Sequence, residues 1–200
     1  MQSFRALLNL LVFAPLCAVT WAVSSPSLPL AAWAQASPTA TAQSERLDQL
    51  FEQLKEPGAD WSSTEREIWR EWSKSGSAAM DLLLQRGQVA MRAGDLPTAI
   101  GHFTALIDHA PEFAEGWNAR ATALYAIGEF GPSLSDIRMT LALNPRHFGA
   151  LAGLGMILEE VAPPQEALRA YRAARAIHPY LPGVLSAINR LEVTVEGQKI

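Results

Sequence analysis

The side chains able to do chemistry are few in this sequence, and their spacing does not assemble them into a reactive set. Four histidines, His102, His109, His147 and His178, are scattered near the ends of segments with helical patterning. His109 and His178 stand two and one residues ahead of a proline, where a cation suits a helix C-terminus. Glu159 and Glu160 are the adjacent carboxylates that acid–base work would draw on, but they read as a solvated face. No His-Glu-x-x-His, Gly-x-Ser-x-Gly or phosphate-binding loop occurs. Cys17, the one cysteine, lies in an apolar N-terminal run. Leu16 ahead of it is larger than lipoprotein processing accepts. Residues beyond that run therefore offer no thiolate for a metal, a disulfide or a nucleophilic attack. The expectation is a protein that is no enzyme and holds no metal and no cofactor.

Charge excludes a further class. Lysine and arginine number 16 against 20 acidic residues, a net charge of −4 with no basic stripe, so nothing marks a nucleic-acid surface. Charged residues make up 18% of the chain and mean hydropathy is +0.06, slightly apolar for a soluble domain. The excess is concentrated at the start. Residues 1–36 carry one charge, Arg5, followed by an apolar run over 6–23 and two small-x-small sites at 32–34 and 34–36. This pattern predicts a secretory signal cleaved after Ala36, with a periplasmic or secreted mature chain. The alternative is an uncleaved inner-membrane anchor, although the run is at the lower length limit of a span and holds Pro15. A polar linker is expected over 37–43.

The elements that must position any binding residues emerge from periodicity. Pro111, Pro145 and Pro179 are 34 residues apart, each after a helical apolar pattern. Gly87, Ala121 and Gly155 recur in phase, as do Ala99, Ser133 and Ala167, and Phe103, Ile137 and Tyr171. The pattern predicts an antiparallel helix pair per period, with small residues where the two helices approach. The large residues at 103, 137 and 171 are expected to fill the space between adjacent units. Each proline ends a second helix, because it lacks the N–H that a continuing helix needs. One such pair cannot bury its apolar face, whereas a stack can.

Residues 80–113, 114–147 and 148–181 resemble tetratricopeptide repeats of the bacterial exported type of unassigned function, through the W-x2-L-G…A-x3-F…P pattern. Trp117 holds the aromatic position in the second unit, with Leu83 and Leu151 in the others. Arg86 and Arg120 replace the usual leucine, Ser133 replaces alanine, and Ala162-Pro163 replaces Gly-Asp. The resemblance implies an all-α, right-handed superhelical solenoid of antiparallel helix hairpins. Arg120 is expected to pair with Asp136 across its own hairpin, whereas Arg86 meets His102 at that position and is left unexplained. A degenerate hairpin over 44–79 is expected to cap the N-terminal end. Its capping box is Ser62 to Glu65, and its Ile68, Trp69 and Trp72 stripe covers the first unit. Residues 182–200 should supply a C-terminal capping helix and tail.

In this family the first helices line a concave groove. The resemblance places Gln85, Gln88, Arg92, Asn118, Thr122, Tyr125, Gly149, Gly153 and Met156 there. The carboxylate clamp known from some members has no cation here, since its positions hold Leu84, Gln88, Ala119, Gly149 and Gly153. Gly149, Gly153 and Gly155 each cost about 1 kcal/mol against alanine inside a helix. Gly155 belongs to the repeat. The other two are expected to open a trough for a partner's backbone. The implied function is a protein-interaction scaffold for an unidentified peptide or protein. The alternatives are a periplasmic chaperone-like binder of unfolded clients, or a membrane-anchored adaptor if the signal is retained.

Overall fold

The computed structural model of the chain describes residues 38–58 and 60–197. The expected signal, with Cys17, lies outside the described residues. The helices among them are α1 (Pro38–Lys55), α2 (Trp61–Trp72), α3 (Ala78–Arg92), α4 (Leu96–His109), α5 (Ala114–Ala126), α6 (Phe130–Leu143), α7 (Phe148–Val161), α8 (Pro164–Ile177) and α9 (Pro182–Gly197). No strand occurs among the described residues. None of these helices is long and apolar enough to cross a membrane. Helix α1 starts at Pro38, so it takes in most of the stretch expected as linker.

Hairpins α3/α4, α5/α6 and α7/α8 are the three periods. Within the first two, the turn is made by Gly94 at φ +78° and Gly128 at φ +80°, a left-handed conformation that glycine adopts without a Cβ penalty. Asp95 then caps α4 by accepting from the Thr98 N–H. The third turn has no glycine. Ala162 is extended there, as a residue before proline prefers. The second helices stop at Ala110, Asn144 and His178, whose backbones share similar φ values of −138°, −137° and −122° before the repeated prolines.

The seam inside each hairpin is a small residue against a large one. A Cβ placed on Gly87 would run into the Phe103 ring, and one on Gly155 would lie 2.5 Å from Tyr171 Cε1. Where the large partner is the narrower Ile137, the opposing residue is Ala121. Phe103 and Tyr171 thus pack against the glycine of their own hairpin, in cores that also take in Ala119 and Ala123 of α5 and Val184 and Ile188 of α9. Ser133 fits the alanine position because its buried Oγ donates to the Ala121 carbonyl at 2.8 Å. Arg120 makes the expected pair, with Nε and Nη2 donating to the two Asp136 oxygens at 2.7 and 2.9 Å. Its Nη1 also donates to Thr104 Oγ1 of the preceding hairpin, at 3.3 Å.

The N-terminal hairpin departs most from expectation. Asp60, not Ser62, caps α2, accepting from the Ser63 N–H. Leu50, Phe51, Leu54, Ile68 and Trp72 form a core with Phe148, and Ile177 and Leu181 border it. The tryptophan stripe therefore covers the third unit, not the first. The 34-residue phase explains the displacement. Trp69 stands where Phe103, Ile137 and Tyr171 stand, but Gln53 occupies the place of Gly87. The hairpin has no gap for an indole within itself, and Trp69 finds one over Gly149, where a Cβ would lie 2.6 Å from the ring.

Two glycine substitutions separate this close packing from helix propensity. Gly87→Ala is expected to destabilise the chain by about 1–3 kcal/mol through overpacking against Phe103. Gly101→Ala, which meets nothing within 4 Å, is expected to stabilise it by about 0.5–1 kcal/mol. Urea melts of the two variants check both signs.

Candidate binding groove

Helices α5 and α7 each present one face to a pocket of about 170 Å³. From α5 come Asn118, Ala121, Thr122 and Tyr125, and from α7 Gly149, Ala152, Gly153, Met156 and Ile157. Steps of three and four residues keep each set on one side of its helix. Ser133 and Ile137 of α6 complete the lining. No charged side chain contributes to it. Thr122 donates its hydroxyl to the Asn118 carbonyl at 2.9 Å. Met156 is 44% exposed at the rim, and its flexible thioether suits an adaptable contact.

The two unexplained glycines separate here. Gly149 is required by Trp69 of α2. Gly153 has ordinary space, since a Cβ would sit 3.5 Å from Ile137 Cδ1. Packing does not demand a glycine at 153, and its absent side chain leaves pocket volume. Six of the nine residues assigned from the resemblance, Asn118, Thr122, Tyr125, Gly149, Gly153 and Met156, meet in this pocket. Gln85, Gln88 and Arg92 of α3 are not in its lining. Gln85 instead borders a separate depression between α3 and α4.

A buried polar cluster lies behind Asn118, and the spacing of histidines in the sequence does not reveal it. His147 caps α7, its Nδ1 accepting the Ala150 N–H at 3.0 Å. Nδ1 is thereby committed as an acceptor, so the ring proton sits on Nε2, 3.1 Å from Glu115 Oε2. Asn118 Nδ2 donates to the same oxygen at 3.3 Å. Trp72 stacks on the His147 ring at 4.2 Å, and Trp69 meets it edge-on at 5.3 Å. One turn of the solenoid further on, His178 is fully buried between Trp61 and Phe148. Its Nδ1 accepts the Tyr180 N–H, while its Nε2 lies 3.6 Å from Glu65 Oε2 and makes no hydrogen bond. The residue type alone could have hinted at His147, because it precedes a helix where Phe113 and Leu181 have no capping side chain. Glu159, expected on a solvated face, instead receives the Tyr171 hydroxyl at 2.7 Å and Arg190 at 3.0 Å. These donors hold its carboxyl below the usual range, Arg190 being the larger influence.

No family model matches the sequence. It is 38% identical over 157 residues to a TPR repeat-containing protein of Rhizobium etli, covering 78% of this chain and 77% of that protein. It is also 28% identical over 113 residues to the small glutamine-rich tetratricopeptide repeat-containing protein 2 of Saccharomyces cerevisiae, across 56% of this chain and 32% of that one. Among solved structures, the TPR domain of Sgt2 from Aspergillus fumigatus superposes at a TM-score of 0.58 with 20% identity, over 62% of this chain and 83% of that chain. The first TPR of Spaghetti (RPAP3) bound to an HSP90 peptide gives 0.57 at 20% identity, over 58% and 93%. MamA gives 0.55 at 21%, over 70% and 80%. At these identities the structural matches establish the shared fold.

Burial lowers the pKa of His178 from the usual value near 6.5, and Glu65 opposes that shift less strongly. The folded chain therefore prefers the neutral ring, while the unfolded chain takes a proton below about pH 6.5. The stability that this site contributes is complete above that pH and declines as the pH falls below it. Melting temperature is expected to drop between pH 7 and pH 5, and His178→Leu is expected to flatten the drop in thermal scans followed by circular dichroism.

Proposed function

The chain belongs to the tetratricopeptide repeat family, and we propose that it is a non-catalytic scaffold whose α5/α7 groove binds a peptide or protein partner through an apolar side chain. The observation that carries this reading is the neutral, largely apolar pocket beside Gly153. An apolar cavity of about 150 Å³ accommodates benzene, so a pocket of about 170 Å³ has room for one aromatic or branched side chain. Gly153 costs the helix about 1 kcal/mol relative to alanine and its neighbour Ile137 leaves ordinary room for a Cβ, which fits a position kept small for a ligand. Tyr125 and Asn118 offer polar groups at the sides for orienting a backbone. The Spaghetti domain was solved with an HSP90 peptide, and by analogy the corresponding helices here provide the docking face. The absence of a cation in the lining favours an apolar anchor over a terminal carboxylate. Export is part of the same proposal. Cleavage after Ala36 would leave every described helix intact and put the groove in the periplasm or envelope.

A photo-crosslinking residue in place of Tyr125 in cells identifies the partner, whose affinity is then measured with purified chains. Gly153→Gln is expected to weaken binding by at least about tenfold, while Gly153→Ala is expected to stabilise the fold by about 0.5–1 kcal/mol and leave binding nearly unchanged. Equal affinity of the Gln variant overturns the groove as the site. N-terminal sequencing of the exported protein is expected to begin at Ser37; retention of residues 1–36 in a membrane fraction would select the anchored form.

A further inference from the structure

The first repeat presents a bare stacking face. At one helical position the four successive first helices carry Leu82, Gly116, Ala150 and Val184, and at a second they carry Val89, Ala123, Ile157 and Leu191. In α5, α7 and α9 these residues are covered by the second helix of the preceding hairpin. Ala123, Ala150, Ile157, Val184 and Leu191 are between 0% and 4% exposed, and a Cβ on Gly116 would touch Leu106 of α4 at 3.3 Å. In α3 the same positions are open, with Leu82 at 44% and Val89 at 52%. The helix that should cover them in sequence order is α2, which is docked on Phe148 instead. Between α3 and α4 this leaves a shallow depression of about 360 Å³ that includes Leu82, Val89, Arg86 and His102.

Charge marks what belongs there. Arg86 is the counterpart of Arg120, which reaches an aspartate in its own hairpin and a hydroxyl on the preceding helix. Arg86 has His102 in place of that aspartate and no preceding helix beside it. We infer that this face docks an amphipathic helix of a partner protein, with apolar residues two turns apart over Leu82 and Val89 and a carboxylate for Arg86. The partner helix continues an interface that the chain already makes three times, α4 on α5, α6 on α7 and α8 on α9. A second copy of this chain fits poorly. Its exposed apolar pair on α6, Met139 and Leu143, lies beside Arg138, which would face Arg86. The surface is separate from the groove, so the two sites can hold different segments of one partner or two partners.

The test uses a fluorescein-labelled, alanine-based helical peptide with leucines repeating on one face and glutamates beside them, and a twin with lysines instead. Anisotropy titrations with the full chain are expected to favour the acidic peptide by about tenfold, equivalent to ~1.4 kcal/mol. Val89→Asp and Arg86→Glu should each weaken it by a similar factor, and Gly153→Gln should leave it unchanged. Val89 and Arg86 are exposed, so thermal melts of both variants are expected to match the parent. Absence of binding, equal affinity for the lysine twin, or loss of binding in Gly153→Gln but not Val89→Asp overturns the proposal. So does a dimer, seen by light scattering, that Val89→Asp dissolves, since the occupant is then a second copy.

Discussion

Two helices joined by a turn of a few residues can share a buried seam only if their backbones approach closely somewhere along it. In this chain that approach is made by a missing or minimal side chain facing a large one: Gly87 under Phe103, Ala121 beside Ile137, Gly155 under Tyr171. Close-packed interiors tolerate neither a gap nor an overlap of one methyl group, so the sizes at the two positions vary together. Everything above the hairpin follows from this contact. It fixes how closely the helices of each hairpin lie, and one such seam, Ala121 with Ile137, also lines the pocket.

The N-terminal hairpin shows the same constraint by failing it. Gln53 denies Trp69 a slot in its own hairpin, and the indole packs over Gly149 instead. That single mismatch draws α1 and α2 onto the third repeat. It also buries His147 and His178 among tryptophans and leaves the first repeat without a cover. The buried rings tolerate their setting because most of their nitrogens are engaged. His147 uses both, as a cap and as a donor to Glu115. His178 leaves Nε2 unsatisfied near Glu65, and burial holds its pKa below the usual value.

The groove and the stacking face differ in how they could be read in advance. Asn118, Thr122, Tyr125, Gly153 and Met156 meet because helical spacing puts them on one side of adjacent first helices, and that geometry is contained in the period. Gln85, Gln88 and Arg92 obey the same spacing on α3. They fall outside the pocket because its walls come from α5, α6 and α7, and a repeat formula does not say where between equivalent units a cavity forms. Side-chain volume at Ile137, Tyr125 and Met156 decides that.

What the amino-acid order determined by itself is the repeating part: the 34-residue period, the turns at Gly94, Gly128 and Pro163, the small residues where paired helices approach and the Arg120–Asp136 pair. These are local or within one hairpin, so their physics is complete within a few dozen residues. Only the tertiary structure decided where the N-terminal hairpin docks, why position 149 must be glycine while 153 need not be, and which repeat keeps an open face. Those outcomes join residues about 80 positions apart, Trp69 and Gly149. They depend on which of several apolar surfaces has a gap of the right size, and neither periodicity nor propensity encodes that gap.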